Sequence, residues 1–139
     1  MSEDTTESTT ETEAARVHRG MIELWRSGRH NEALALIDDD AIDHRGGIRG
    51  DVYGIAAWRD KWEHMYDGLS DVSVIVEQNI ASGEYSTNRY TLRATHDETG
   101  RSYQVNGIDM VRVRNGKLTE HWALMDVTAM RHQLGLDQG

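Results

Sequence analysis

An Asn-Gly pair late in the sequence constrains the fold of this chain more than any other feature. Asn115 and Gly116 separate two runs that are rich in β-branched and apolar residues, 107–114 and 117–122. Both central residues of a two-residue hairpin turn adopt positive φ, which Asn and Gly tolerate better than other residues. The pair therefore predicts two antiparallel strands joined by a tight turn.

The rest of the hydrophobic pattern is helical first and strand-like afterwards. Apolar residues three or four positions apart predict helices over 13–27, 31–37 and 53–66, with a short strand over 41–44 before the third helix. Alternating apolar residues beyond that helix predict four antiparallel strands, and a short helix over 128–134 closes the chain. Helices followed by a four-strand meander predict the α+β class, with the helices packed on one face of a curved sheet.

The first twelve residues differ in composition from the rest of the chain. Residues 1–12 consist mostly of Thr, Ser, Glu and Asp and carry almost no apolar side chains. Such a segment cannot offset its ordering entropy by burial. We therefore predict a disordered acidic tail over 1–12 and a single folded domain over 13–139.

The charge balance and the residue types exclude several classes of partner. The formal net charge is −9, so we expect no binding to nucleic acid, which requires clustered Lys and Arg. No apolar run reaches membrane-spanning length and no secretion signal is visible, so we expect no membrane partner and a cytoplasmic location. With no cysteine there is no disulfide or thiolate site. The acidic composition fits a high-salt cytoplasm and a GC-rich genome equally well.

The predicted hairpin carries titratable side chains among apolar neighbours. If Arg114 opposes Lys117 across the turn, Asp109 opposes Trp122 and lies on the opposite sheet face from His121. A β-bulge would bring the two onto one face, because one extra residue exchanges the faces beyond it. A buried carboxylate requires a partner, so Asp109, which we expect to point inward, is the leading functional candidate.

Short motifs along the chain occur in an order that indicates a family. They are His44, Trp58, Trp62, Thr95-His96, Gly107-Ile108-Asp109, Arg112, Asn115-Gly116-Lys117, Glu120-His121-Trp122, Asp126 and Gln133-Leu134-Gly135. This series resembles the SnoaL-like polyketide cyclases of the nuclear transport factor two and ketosteroid isomerase superfamily. The resemblance covers about residues 13–136. It implies a cone-shaped curved sheet (a cystatin-like α+β barrel), with helices closing a deep apolar pocket and dimers often formed through the outer sheet face.

The resemblance also implies a function, and one position departs from it. It implies binding of a flat, hydrophobic, oxygenated molecule of polyketide or steroid type, with proton transfer next to a carbonyl in a cyclisation or isomerisation. The cyclases carry a catalytic Asp where this chain has Ala123, whereas Asp109 resembles the protonated pocket Asp of ketosteroid isomerases. We find no match for the isomerase's Tyr donor or Asp base. The alternatives are a non-catalytic binding protein and an epoxide hydrolase-like enzyme, for which the Asp-Arg-Asp spacing is not found.

The candidate site combines the hairpin with the aromatic helices. We predict Asp109 as acid or oxyanion donor and His44 or His121 as base. The remaining histidines lack ligand-like spacing, so neither a metal site nor a cofactor is expected, and the partners are a small hydrophobic ligand and a second copy of the chain. The predicted substrate-binding residues are Asp43, Trp25, Trp58, Trp62, Met110, Trp122 and Asp126. Each has a structural alternative: the tryptophans as core, Asp126 as a helix cap, and Asp109 as a paired structural carboxylate.

Overall fold

A computed structural model describes residues 11–44 and 50–136. The predicted tail therefore lies outside the described residues, except for positions 11 and 12, and so do residues 137–139 of the predicted domain. The described part has the following elements in chain order: α1 (Glu13–Arg26), α2 (His30–Leu34), β1 (Ile37–His44), β2 (Val52–Tyr53), α3 (Ile55–His64), β3 (Leu69–Ser82), β4 (Tyr85–His96), β5 (Arg101–Arg114), β6 (Lys117–Met125) and α4 (Val127–Leu134).

The predicted α+β class is confirmed, and the sheet is larger than the predicted meander. Strands β3 to β6 form the antiparallel meander, and β1 and β2 extend it into a curved, unclosed sheet in the order β2-β1-β6-β5-β4-β3. The chain reaches β1 before the meander, and β1 pairs with β6 in parallel. This pairing places the end of β1 beside the hairpin that carries Asp109 and His121.

The hairpin turn forms as predicted, but the predicted strand register is wrong by one residue. Asn115 and Gly116 both have positive φ (52° and 76°). Arg114 pairs with Lys117 and Val113 with Leu118, yet the next pair is Arg112 with Glu120. The residue left over, Thr119, donates a hydrogen bond from its hydroxyl to the carbonyl oxygen of Arg112 (3.2 Å). This β-bulge exchanges the faces of β6 relative to β5.

The helices pack on one face of the sheet, which we call the inner face. One apolar cluster joins α1, α2, α3 and β1 to the turn end of the hairpin, with Trp58 and Leu118 almost fully buried. A second cluster joins β4 and β5 to α4 and includes Leu92 and Leu134. Within the described residues, no helix is long and apolar enough to cross a membrane.

The last two residues of the segment that the sequence predicts as tail contact helix α1. The Thr12 side chain accepts a hydrogen bond from the amide of Ala15 (3.1 Å) and caps the helix. Arg19 donates to Glu11 on the exposed side of the same helix (2.6 Å). Residues 11 and 12 therefore contact the folded domain.

Candidate functional site

A cavity of about 550 Å³ lies between the inner face of the sheet and helices α1, α3 and α4. This volume is within the range of small-molecule sites. Trp25, Trp58 and Trp62 line it, and most other lining residues are aliphatic or aromatic. The polar side chains in its wall include Asp109, His121, Lys61, Asn88 and Tyr90. The cavity is thus an apolar compartment with a few polar groups, as expected of a site for a hydrophobic ligand.

Asp109 and His121 lie on the same wall of this cavity because of the β-bulge. Asp109 pairs with Ala123 and Val111 pairs with His121, so both titratable side chains point to the inner face. His121 Nε2 lies 3.2 Å from Asp109 Oδ2. The expected separation of these two residues onto opposite faces is therefore wrong, and the bulge is the reason.

His121 is held between two carboxylates. Its Nδ1 lies 3.0 Å from Asp43 Oδ1, at the end of the parallel strand β1. Lys61 of α3 donates to the other Asp43 oxygen (2.8 Å) and lies over the ring of Trp58, 3.9 Å from its centroid. Asp43 was predicted to bind substrate, but it is buried behind His121 and is not among the residues that line the cavity.

His18 supports Asp109 from the opposite side. It lies on the buried face of α1 with no exposed surface, and its Nε2 is 2.9 Å from Asp109 Oδ2. An ionised carboxylate only accepts hydrogen bonds, so we assign a proton to this nitrogen. The Ser86 hydroxyl then donates to His18 Nδ1 (2.8 Å) and accepts from Asn79 Nδ2 (2.8 Å). A continuous polar chain, Lys61–Asp43–His121–Asp109–His18–Ser86, thus crosses the inner face.

The hydrogen bonds of this chain determine its charge state. Burial alone would raise the pKa of Asp109, but the hydrogen bonds from His121 and His18 outweigh burial and hold that pKa well below its usual range. Burial likewise opposes ionisation of Asp43, whose pKa is nevertheless lowered by His121 and Lys61. Burial would lower the pKa of His121, yet its bonds to Asp109 and Asp43 raise it. The carboxylates of Asp43 and Asp109 therefore face two cations, Lys61 and His121. Asp109 is ionised, whereas the sequence predicts a protonated carboxyl group.

The two Asp109 oxygens have different surroundings. Both imidazoles contact Oδ2, and no hydrogen bond from any described residue reaches Oδ1. Asp109 still lines the cavity, with its side chain 14% exposed. One oxygen is therefore fixed by the protein, while the other is available to a ligand.

Four of the predicted site residues lie away from the cavity. His44, Met110 and Trp122 are on the outer face of the sheet, where the His44 ring stacks on that of Trp122 (centroids 4.8 Å apart). His44 contacts Glu120 (2.9 Å) and Asp51 (3.0 Å) instead of the cavity. Asp126 caps α4 and accepts from the amide of Ala129 (2.9 Å). The structure therefore brings Asp109 and His121 together and does not bring these four to them.

Three residues of the polar chain, His18, Lys61 and Ser86, are not among the site residues predicted from the sequence. His18 lies within the apolar stripe of α1, three or four residues from Ala14, Ala15 and Met21. A histidine on such a stripe is a buried polar group that requires a partner, which was the available signal. Lys61 lies between two tryptophans of one helix, and nothing in the sequence indicated that Asp43 would reach it.

The described residues contain one group whose ligand atoms are close enough for a metal ion. Asp60, Glu63 and His64 lie near one another at the end of α3, and all three are exposed. None of these three residues lines the cavity. Exposed acidic groups of this kind are common without an ion.

Comparisons with known proteins agree with the geometry. The model of the SnoaL-like polyketide cyclase family matches residues 15–134. Among solved structures, the chain is similar to IdmH, a putative polyketide cyclase from Streptomyces antibioticus, with 28% identity over 89% of this chain and 99% of that chain (TM-score 0.77). A putative SnoaL-like polyketide cyclase from Mesorhizobium loti shares 23% identity over 79% of this chain and 97% of that chain (TM-score 0.64).

Other matches extend the likeness of fold to proteins with different names. AclR, a putative hydroxylase from Streptomyces galilaeus, is 19% identical over 88% of this chain and 96% of that chain (TM-score 0.74). No curated protein matches the chain in sequence. The family model spans almost all of the described residues, and the chain therefore belongs to the SnoaL-like polyketide cyclase family.

Proposed function

We propose that this protein binds a flat, hydrophobic, oxygenated small molecule of polyketide or steroid type and transfers a proton next to a carbonyl group, in a cyclisation or isomerisation. The observation that carries the proposal is the Asp109 carboxylate in the wall of an apolar cavity. Its Oδ2 is held by two imidazoles, while Oδ1 has no partner among the described residues. The name of IdmH, a putative polyketide cyclase, supports the substrate class.

The charge states of the residues in the polar chain indicate which residue acts as the base and which ones position it. An ionised carboxylate can remove a proton from a carbon next to a carbonyl, so Asp109 acts as the base in this proposal. The His121 imidazolium, 3.2 Å from the same carboxylate, stabilises its negative charge before the proton arrives. Asp43 and His18 are positioning residues, since Asp43 fixes the His121 ring, His18 fixes Asp109 directly, and neither lines the cavity.

The oxygenated character of the ligand is supported by donors without partners. The indole N–H groups of Trp25 and Trp58 are buried and have no hydrogen-bond partner in the described part of the chain. Both rings line the cavity. A buried donor without a partner is destabilising, so a ligand oxygen would stabilise either group once a shift of its ring brought the N–H to the cavity.

Proton exchange of a simple ketone tests the proposal without knowledge of the natural substrate. The probe is 2-tetralone in D₂O, and the measurement is the loss of its α-proton NMR signals. We expect exchange above the buffer rate and a decrease of about 10²-fold or more in Asp109→Asn, the usual contribution of a positioned base. Asp51→Asn is the matched control, because that carboxylate also contacts an imidazole but lies near the outer face.

A non-catalytic binding protein is the second candidate, and Ala123 favours it. The family's cyclases carry their acid/base at this position, and an alanine side chain has no proton to exchange. Binding of 2-tetralone with no exchange above buffer would support this candidate and contradict catalysis. Asp109-dependent hydrolysis of styrene oxide without exchange would support the epoxide hydrolase alternative, although His121, not an arginine, lies between Asp43 and Asp109.

A second copy of the chain is the proposed protein partner, through the outer face of the sheet. Ile108 and Leu124 are paired across β5 and β6 and are 50% and 79% exposed. Exposed apolar surface of this kind typically marks an interface. We expect a dimer mass by light scattering at micromolar concentration and a single-chain mass for Leu124→Glu. Tyr53→Glu, at an exposed residue of the edge strand β2, is the control, and a single-chain mass for the unaltered protein contradicts the dimer.

A further inference from the structure

Tyr90 and Gly107 are in unusually close contact on the inner face. They are partners in the ladder between β4 and β5. A Cβ atom added at position 107 would lie 2.3 Å from Tyr90 Cζ and 2.4 Å from its hydroxyl oxygen. Only glycine leaves this space, because real Cβ atoms do not approach other atoms so closely. The absence of a side chain at 107 therefore places the phenol end of Tyr90 directly over strand β5.

This location is next to Asp109 along the cavity wall. Asp109 is the next inward-facing residue of β5 after Gly107, about 7 Å further along the strand. Its ladder partner on β6 is Ala123, whose small side chain leaves the wall open beside the carboxylate. Tyr90, Asp109 and Ala123 all line the cavity. We call this part of the cavity wall, from the phenol over Gly107 to the Asp109–Ala123 pair, the recess.

The phenol is protonated and has no partner in the described part of the protein. Burial raises the pKa of Tyr90, and the negative charge of Asp109 raises it further. None of the hydrogen bonds formed by described residues involves the Tyr90 hydroxyl, and Asp109 Oδ1 has none either. The recess therefore contains one free donor and one free acceptor.

We propose that Tyr90 is a substrate-binding residue that donates a hydrogen bond to the enol, phenol or enolisable carbonyl oxygen of a polycyclic ligand, whose adjacent carbon then faces Asp109 Oδ1. This inference rests on the proposed function and specifies which edge of the ligand enters the recess. In the reaction, the C–H bond next to the carbonyl breaks and its proton passes to Oδ1. The electron pair moves to the oxygen, giving an enolate that accepts from Tyr90, and the proton later returns from Oδ1 to a carbon of the product.

Binding of two matched probes tests this inference separately from turnover. The probes are 2-naphthol, which carries an enol-like hydroxyl, and naphthalene, which does not. Binding is followed through the fluorescence of the tryptophans that line the cavity. We expect Tyr90→Phe to weaken the binding of 2-naphthol by about threefold to tenfold, which corresponds to the loss of one neutral hydrogen bond. The affinity for naphthalene should change by less than about twofold.

A second tyrosine provides the matched control. Tyr103 also lines the cavity but pairs with Ala94, two inward-facing positions along β4 from Tyr90, so Tyr103→Phe should leave both affinities unchanged. Gly107→Ala, which displaces the Tyr90 ring, should reduce the preference for 2-naphthol without removing any polar group. Thermal unfolding establishes that each variant is folded.

The failure of this inference and that of the proposed function give different results. If Tyr90→Phe weakens the binding of both probes equally, the role of Tyr90 is overturned. It is also overturned if Tyr103→Phe weakens the binding of 2-naphthol as much as Tyr90→Phe does. The exchange of 2-tetralone would still depend on Asp109 in that case. Conversely, a Tyr90-dependent preference for 2-naphthol without ketone exchange would support the recess and contradict catalysis.

Discussion

Two histidines on neighbouring strands make the same pattern of contacts on opposite faces of the sheet. His121 lies between Asp43 and Asp109 on the inner face, and His44 lies between Asp51 and Glu120 on the outer face. The two sites are adjacent in the sheet, since Asp43 pairs with His121 in the parallel ladder and His44 with the following residue. Hydrogen bonding in each site raises the pKa of the imidazole.

Burial distinguishes the two sites. Asp43 is 6% exposed, whereas Asp51 is 35% exposed and the side chains of His44 and Glu120 are both 23% exposed. Water screens the outer pair and can replace a lost partner there, whereas the inner charges depend on one another. The inner site therefore costs more free energy to disrupt than the outer one, and its Asp109 and His121 line the cavity, where they can change the protonation state of a ligand.

Removing an inner carboxylate should have the largest effect on stability. Asp43→Asn removes the buried carboxylate that contacts both His121 and Lys61. We expect a loss on the order of 3 kcal/mol in the free energy of unfolding, measured with urea. Asp109→Asn should have a similar cost, so the Asn variant at position 109 must be checked for folding before its activity is compared.

The outer carboxylates are the matched controls for this loss. Glu120→Gln and Asp51→Asn remove the same charge from the same kind of contact, and each should cost less than about 1 kcal/mol. Equal losses on the two faces would contradict the role of burial. A neutral effect of Asp43→Asn would show that the contacts of this carboxylate with His121 and Lys61 do not stabilise the fold.

The pH dependence of stability is the next largest effect. The pKa of His121 is raised in the folded state, so its contribution is complete below the ordinary histidine pKa of about 6.5 and is lost as the pH rises through the raised value. The pKa values of Asp43 and Asp109 are lowered, so their contributions are complete above about pH 4 and are lost as the pH falls. We therefore expect maximal stability between about pH 4 and 6.5.

Variants of the two histidines separate their contributions to this profile. Above pH 6.5 the free energy of unfolding should decline with rising pH, and His121→Gln should make that decline less steep. For one titrating group the slope is at most about 1.4 kcal/mol per pH unit. His44→Gln should retain most of it, because its site is more exposed. Unfolding in urea at a series of pH values measures the pH dependence of stability in both variants. If His44→Gln reduces that dependence more than His121→Gln does, the outer site contributes more to it than the inner site, contrary to this prediction.

The sequence predicted the elements of the fold better than their pairing. The Asn115-Gly116 turn, the order of helices and strands, and the aromatic wall of Trp25, Trp58 and Trp62 follow from local patterns. The face that each residue occupies beyond Thr119 does not, because a bulge depends on the curvature of the whole sheet. One extra residue in β6 moved His121 into the cavity wall and Trp122 to the outer face.

The charge state of the site was also beyond the reach of local patterns. A lone carboxyl in an apolar pocket suggested a raised pKa, which is correct for burial alone. The ionised state of Asp109 depends on His18, ninety-one residues away in the sequence, and on Asp43 behind His121. Tertiary contacts of such sequence separation reverse the effect of burial and cannot be inferred from one strand.

The smallest predicted effect concerns the start of α1, which positions the inner site through His18. This helix has a buried polar contact and an exposed ion pair at adjacent residues, His18 and Arg19. Removal of residues 1–10 leaves both the Thr12 cap and Glu11, so we expect no measurable change in the free energy of unfolding. Removal of residues 1–12, or Thr12→Ala alone, should cost about 1 kcal/mol through loss of the cap.

Substitutions at these two positions separate the cap from the exposed ion pair. Thr12→Ser retains a hydroxyl that can cap the helix and should keep nearly full stability, whereas Glu11→Gln should cost less than about 1 kcal/mol because its contact with Arg19 is on the surface. Urea unfolding of these variants gives the comparison. If Thr12→Ser is as unstable as Thr12→Ala, or if Glu11→Gln accounts for the whole loss, the cap does not hold α1, and with it His18, against the inner face.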